Sequence, residues 1–271
     1  MPTAPRRPVL SHPSSTPVIL ALFLIFTALL CLLAWLLGGT PTGRIHEEAP
    51  TALPSASVGQ ESMREPRPIT CIVIDAGHGG EDGGASSAAG LVEKEVNLAV
   101  AEYLQELCET AGIPTVMTRT EDKLLYDRNV DYVGRKKVLD LEARRRIAEQ
   151  TAAKTAETSE SILFVSIHMN AFPQPQYSGM QVWYGTADPR SAAVAEDIQR
   201  ASIALMSDNT RKIKAAGSNI YLLDRLSTPA VLVECGFLSN PAEAERLTDE
   251  AYRRALAAVI FSAITPHMGK T

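Results

Sequence analysis

Two histidines and two acidic positions stand where a fold could gather them for chemistry. The run Cys71–Ala76, apolar but for Asp75, ends abruptly in Gly77-His78-Gly79-Gly80, where glycines let the chain turn sharply and approach a ligand closely. A second apolar run, LFVSIH, ends at His168, and a third, AVLVE, ends at Glu234. In open α/β sheets, sites form beyond the carboxyl ends of parallel strands, so three strand-like runs ending on such residues point to one shared site. Zinc enzymes commonly use two histidines and one carboxylate and leave a fourth position for water. His78 and His168 supply the histidines. Glu93 begins the helical run VEKEVNL fifteen residues after His78, and Glu95 competes with it by composition. A carboxylate in a first helical turn is also favoured by the helix dipole alone. The chemistry implied is metal-assisted hydrolysis.

Glu234 follows four apolar residues, where a carboxylate is costly unless it is paired or functional. It could take a proton from an activated water and return it to a leaving amine. The structural alternative is a buried salt bridge with Arg119 or Arg144. Asp75, Asp82 and Asn170 flank these residues and read as supporting groups. A Gly-His-Gly-Gly turn also suits the oxyanion loop of a serine hydrolase, but that fold requires a Gly-x-Ser-x-Gly elbow and the chain has none. Cys235 beside Glu234 lacks a histidine and carboxylate committed to it, so a cysteine nucleophile is disfavoured.

The elements that must position these residues alternate between short β-rich runs and helical ones, as in an α/β sheet with crossover helices. Strands are expected at 71–75, 113–118, 162–167, 180–184, 219–223 and 230–234. Val96, Val100, Tyr103, Leu104 and Leu107 recur at helical spacing, and Gly112 with Pro114 closes that helix. Leu141, Arg144, Ile147 and Ala148 belong to a second, which the alanine- and threonine-rich stretch at 151–158 ends. Further helices are expected over Val194–Met206, over Pro241–Leu247, which Pro241 would start well, and over Tyr252–Ile264. The fold class is therefore α/β, a single domain with a twisted, mostly parallel sheet of about six strands flanked by helices. The polar stretch from Glu121 to Lys137 reads as a solvated loop leading into the second helix.

The chain has 271 residues and a hydrophobic content of 45%, enough for a full core. Val18 to Leu37 is 20 residues without a charge. At about 1.5 Å per residue this spans roughly 30 Å, one hydrocarbon thickness. A transmembrane anchor at 18–37 is expected, with a cleaved secretory signal as the alternative. Arg6 and Arg7 precede the span and only Arg44 follows closely, which places residues 1–17 in the cytoplasm and the rest outside it. Residues 38–68, rich in Pro, Ser, Thr, Ala and Glu, read as a linker, and 69–268 as the catalytic domain. Residues 1–37 hold two basic and no acidic residues, leaving 24 basic against 31 acidic, a net charge of −7. That disfavours nucleic acid as a partner. Cys71, at the start of the first strand, and Cys235, past the end of the last, lie too far apart for a disulfide if those strands are parallel.

The set IDAGHGGEDGGA, EKEVNLAVA, SIHMNA and VECGFLSNP resembles the zinc-dependent N-acetylmuramoyl-L-alanine amidases of the amidase-3 family over about residues 70–265. The resemblance implies Zn2+ held by His78, Glu93 and His168, with Glu234 as catalytic acid/base. It also implies a peptidoglycan substrate, cut between muramic acid and the L-alanine of the stem peptide. The segments HMNAFPQPQYSGMQVWYG, SDNTRKIK and NIYLLDRLSTPAVLVECGFLSNPAEAERL are similar to the CwlD-type amidases of spore-forming bacteria, which have a membrane anchor and one catalytic domain. That implies a role in the spore cortex, where muramic acid stripped of peptide becomes the δ-lactam. Two other readings stay open: a membrane-tethered, non-catalytic peptidoglycan-binding protein, and a zinc carboxypeptidase acting elsewhere on the stem. The sequence does not specify an activating protein partner.

Overall fold

The structure, a computed structural model, describes residues 67–158 and 160–269. The expected cytoplasmic start, the anchor at 18–37 and nearly all of the 38–68 linker lie outside the described residues. Among the described residues no helix is long and apolar enough to cross a membrane.

Six strands form one sheet: β1 (Ile69–Ala76), β2 (Thr115–Met117), β3 (Ser161–Asn170), β4 (Gln181–Tyr184), β5 (Lys214–Ala215) and β6 (Ala230–Phe237). Their order is β2-β1-β3-β6-β4-β5, and every neighbouring pair is parallel except β4 with β6. β1, β3 and β6 at the centre are covered on both faces, which is why they read as nearly unbroken apolar runs rather than alternating ones.

The helices are α1 (Glu93–Thr110), α2 (Lys136–Glu157), α3 (Arg190–Ala201), α4 (Tyr221–Arg225), α5 (Pro241–Thr248) and α6 (Glu250–Ile264). α1, α3 and α6 cover one face, where Val96, Val100 and Leu104 pack with Ile72, Ile74, Val165 and Val233. Each such side chain contributes about 1.5–3 kcal/mol by leaving water. α2 and α4 cover the other face, where Ala148, Leu222 and Leu223 meet Val73, Phe164 and Ala230. α5 starts as expected, with Pro241 in its first turn and the Asn240 side chain accepting from the backbone of Ala242 and Glu243.

One expected strand is corrected. Residues 219–223 do not form a strand: Asn219 and Ile220 lead into α4, and the edge strand is Lys214–Ala215. The apolar run Ile220–Leu223 is too short for its period to separate strand from helix. Leu222, Leu223 and Leu226 are all buried against the sheet, a helical rather than an alternating pattern. The third helix also ends earlier, at Ala201, and continues as a single 3₁₀ turn at Ser202–Ala204.

Candidate active site

The site lies at the carboxyl edge of β1, β3 and β6. β1 delivers the turn that carries His78, whose φ is 60°, the one positive value among the described non-glycine residues. A left-handed conformation costs an L-residue roughly 1–2 kcal/mol, so it persists where surrounding bonds enforce it. Arg144 Nη2 donates to the His78 carbonyl at 2.6 Å, and Gly79 and Asp82 exchange backbone hydrogen bonds at 2.9 and 3.1 Å. Gly77 also has a specific reason to be glycine: a Cβ there would meet the His168 ring at 2.3 Å.

α1 crosses the sheet edge so that Glu93, in its first turn, points back over the strands and is only 3% exposed. Its Oε2 accepts from Ala85 N at 2.8 Å, and its Oε1 accepts from Met169 N at 3.0 Å. The same Oε1 lies 3.0 Å from His168 Nδ1 and 3.3 Å from His78 Nε2. The ligand atoms of these three residues all lie within 4.8 Å of one another. Glu95, the competing carboxylate, is exposed and faces away. Burial alone would raise the Glu93 pKa, but bonds and charge from the two imidazoles overcome it and hold the carboxyl far below the usual range. Burial likewise lowers the His78 pKa, and Glu93 and Asp82 more than reverse that, leaving it raised.

Glu234 stands directly opposite His168 in the β3–β6 register and opposite Gln181 in β4. Its Oε2 is buried with no hydrogen-bond partner. Burial pushes its pKa up to about 7, with the Glu93 charge assisting and the two histidines opposing. The salt-bridge alternative for Glu234 is not found. Arg144 is committed to Asp75 and Asp140, each at 2.7 Å, and Arg119 donates to the carbonyls of Ala76, Gly77 and Lys94 at 2.8–2.9 Å. Cys235 points to the opposite face, fully buried, and its thiol pKa is strongly raised by that burial, so it is no nucleophile. Cys71 and Cys235 are both free thiols.

The supporting groups have distinct tasks. Asp82 Oδ2 lies 2.9 Å from His78 Nδ1, close enough to act through charge although not aligned as a hydrogen bond. Asp75 accepts from Thr118 and Ser166 as well as from Arg144. Asn170 lines a cleft of about 380 Å³ together with His78, His168, Glu234, Trp183 and Tyr221. Asn97 and Asp140 were missed as site components, and Arg119 and Arg144, weighed only as partners of Glu234, instead hold the turn around His78. Asn97 Nδ2 donates to the Gly77 carbonyl at 3.1 Å. The available signal was Asp140 and Arg144 four residues apart, in line with buried Ala148 on the inward face of α2.

Two imidazole nitrogens and one carboxylate oxygen converging on a point, with room left in a cleft, fit a divalent cation such as zinc. The fit extends outward, since His78 turns its other ring nitrogen to a carboxylate, as metal-bound histidines usually do. An unpaired carboxylate stands across the same cleft. Fold and site together are those of a metal-site hydrolase.

The chain belongs to the Amidase_3 family, the N-acetylmuramoyl-L-alanine amidases, whose family profile matches residues 72–266. It is 36% identical over 193 residues to the germination-specific N-acetylmuramoyl-L-alanine amidase of Bacillus subtilis strain 168, covering 71% of this chain and 77% of that one. Among solved structures it is similar to the CwlD amidase of Clostridioides difficile in complex with the GerS lipoprotein. That match has a TM-score of 0.65 and 36% identity, and covers 73% of this chain and 98% of that one. The amidase AmiC2 of Nostoc punctiforme matches with a TM-score of 0.58 and 28% identity, over 72% and 95% of the two chains. The chain is thus a peptidoglycan amidase, and its action is extracytoplasmic.

Proposed function

We propose that this amidase is zinc-dependent, that His78, Glu93 and His168 hold the ion, and that Glu234 moves the proton. The observation that carries the reading is the unpaired Oε2 of Glu234 on the strand next to His168, beside three converging ligand atoms. A bound divalent cation supplies Lewis acidity, which polarises a carbonyl and lowers the pKa of water.

The residues of the chain do the rest. Glu234, ionised at the start, accepts a proton from the water that attacks the lactyl carbonyl carbon. It then donates that proton to the nitrogen of L-alanine as the C–N bond breaks. The products are a lactyl carboxylate on muramic acid and a free amino terminus on the stem peptide. A carboxyl pKa held near 7 by burial suits a group that must both take and give a proton near neutrality. Arg144 and Arg119 hold the turn around His78 so that the ligand atoms keep their positions.

The finer role is in the spore cortex, preparing muramic acid for δ-lactam formation. The 36% identity to a germination-specific amidase supports it. A membrane anchor at 18–37 keeps the catalytic domain at the outer face of the membrane, and a protein partner takes part, as the complex of the similar CwlD amidase with a lipoprotein suggests. The carboxypeptidase and silent-binder readings have no specific observation in their favour.

The test is mass spectrometry of peptidoglycan treated with the zinc-loaded protein. Intact stem peptides with a free L-alanine amino terminus, absent with Glu234→Ala, support the mechanism. Cleavage by Glu234→Ala at the wild-type rate removes Glu234 from it. Muropeptides of spores lacking the gene test the cortex role, where unchanged δ-lactam content would exclude it.

A further inference from the structure

A second groove, of about 420 Å³, opens beside the catalytic cleft and shares Asn170 and Trp183 with it. The two are close because β4 is the strand next to β6. Gln181, at one end of the groove, is paired opposite Glu234, one strand spacing of about 4.8 Å away. Four aromatic rings line the groove: Phe172, Tyr177, Trp183 and Phe237. Phe172 and Tyr177, both large and both substantially exposed, meet edge to face at 5.0 Å between centroids.

Two cations are mounted on these rings. The Arg211 guanidinium sits 4.4 Å from the Phe237 centroid and 5.8 Å from that of Tyr177, while its Nε donates to the Ser178 carbonyl at 2.6 Å. The Lys214 ammonium sits 5.0 Å from the centroid of Trp183. Neither forms a salt bridge among the described residues, and no carboxylate lines the groove. Stacking restricts the direction of each charge without neutralising it. The wall is preorganised as well, since the buried Glu243 carboxylate accepts from Gly179 N at 2.9 Å and from Phe237 N at 2.8 Å.

Charge decides which part of the substrate suits such a groove. In an uncut muramoyl peptide the lactyl carboxyl is tied up in the scissile amide, and the sugars carry only hydroxyl and acetamido groups. Free carboxylates are found on the peptide alone. We propose that this groove is the subsite for the stem peptide on the amine side of the scissile bond. Arg211 and Lys214 grip a carboxylate of the stem, and the rings of Phe172, Tyr177 and Trp183 carry its apolar parts. The proposal rests on the amidase reading for the identity of the peptide. The groove is then the part of the molecule that selects for an acidic stem.

The test uses full-length protein and the isotope-labelled tripeptide L-alanyl-γ-D-glutamyl-diaminopimelate in equilibrium dialysis, beside steady-state cleavage of a muramoyl tripeptide. We expect Arg211→Gln with Lys214→Gln to weaken tripeptide binding at least tenfold. The same pair should raise KM by a similar factor while kcat stays within about twofold. A tripeptide with its carboxyls amidated should bind the wild type weakly and lose nothing further in the double variant. Arg211→Lys with Lys214→Arg, which keeps both charges, should recover most of the binding and separates loss of charge from loss of folding. Tripeptide binding or KM unchanged in the Gln pair overturns the groove while leaving the amidase intact. Tripeptide bound in a charge-dependent way by a protein that cuts no muramoyl peptide would overturn the amidase reading and leave the groove standing.

Discussion

Arg144 Nη1 donates to Asp75 Oδ1 at 2.7 Å with both side chains almost completely buried, and the same guanidinium holds the His78 carbonyl. A structural ion pair therefore sits one bond away from the candidate ligand turn. Burial raises the Asp75 pKa, but the Arg144 charge and the bonds from Ser166, Thr118 and Arg144 overcome it, so the carboxyl is held below its usual value.

Replacing Arg144 with Met should leave Asp75 buried and unpaired, which costs about 3–5 kcal/mol. Urea unfolding at pH 7 measures the loss. Because the Asp75 pKa is depressed in the fold, its contribution is complete above the unfolded value of about 3.9 and fades as pH falls through the folded one. The wild type should thus lose part of its advantage over Arg144→Met in strong acid. Equal stability of the two proteins at pH 7 would show that the pair does not hold the fold.

Glu234→Gln should retain the metal and lower kcat by about 10²- to 10⁴-fold, the usual contribution of a proton-transferring side chain. In the metal-free protein the same variant should be the more stable one at pH 8. The raised carboxyl pKa means that the folded state keeps a proton which the unfolded state releases between about pH 4.5 and 7. Wild-type stability therefore falls across that window, by at most about 3 kcal/mol, and the two proteins should converge below it. Parallel stability curves for the two proteins from pH 4 to 8 would contradict a buried, unpaired carboxyl.

His78→Ala and His168→Ala should each lower bound zinc from one equivalent to near zero after dialysis, read by atomic emission. In the wild type, affinity should weaken at least tenfold between pH 8 and pH 6. The His78 pKa is raised, so protons compete with the cation for the ring as pH falls through the imidazole range. Full metal content in either alanine variant would remove that residue from the ligand set.

Gly77→Ala would place a methyl 2.3 Å from the His168 ring. The expected result is a displaced imidazole, impaired metal binding and a stability loss of about 1–3 kcal/mol, since overpacking shifts side chains or backbone. Wild-type zinc affinity in this variant would mean that the ring can move aside without cost.

The α/β class and the central strands were legible because parallel strands buried on both faces must be continuously apolar. The short runs at 71–76, 162–167 and 230–234 come close to that character, interrupted only by Asp75, Ser166 and the terminal Glu234, and each is bounded by polar residues or turn formers. The same logic exposed His78, His168 and Glu234, each a polar residue ending an apolar run. What the sequence left open was decided by tertiary contacts. Glu93 and Glu95 both fall in the first turn of α1, and only the direction of that turn over the sheet edge buries one and exposes the other. Residues 219–223 carry the apolar content of a strand but pack Leu222, Leu223 and Leu226 against the sheet as a helix. Arg144 reads in the sequence as a helix residue and a possible partner of Glu234, because two of its actual partners, Asp75 and the His78 carbonyl, lie more than sixty positions away in the chain. Local pattern determines which residues must leave water and hints at a helical pair such as Asp140 with Arg144; which remote buried charges meet, as Asp75 meets Arg144, depends on how distant segments pack, and no local signal encodes that.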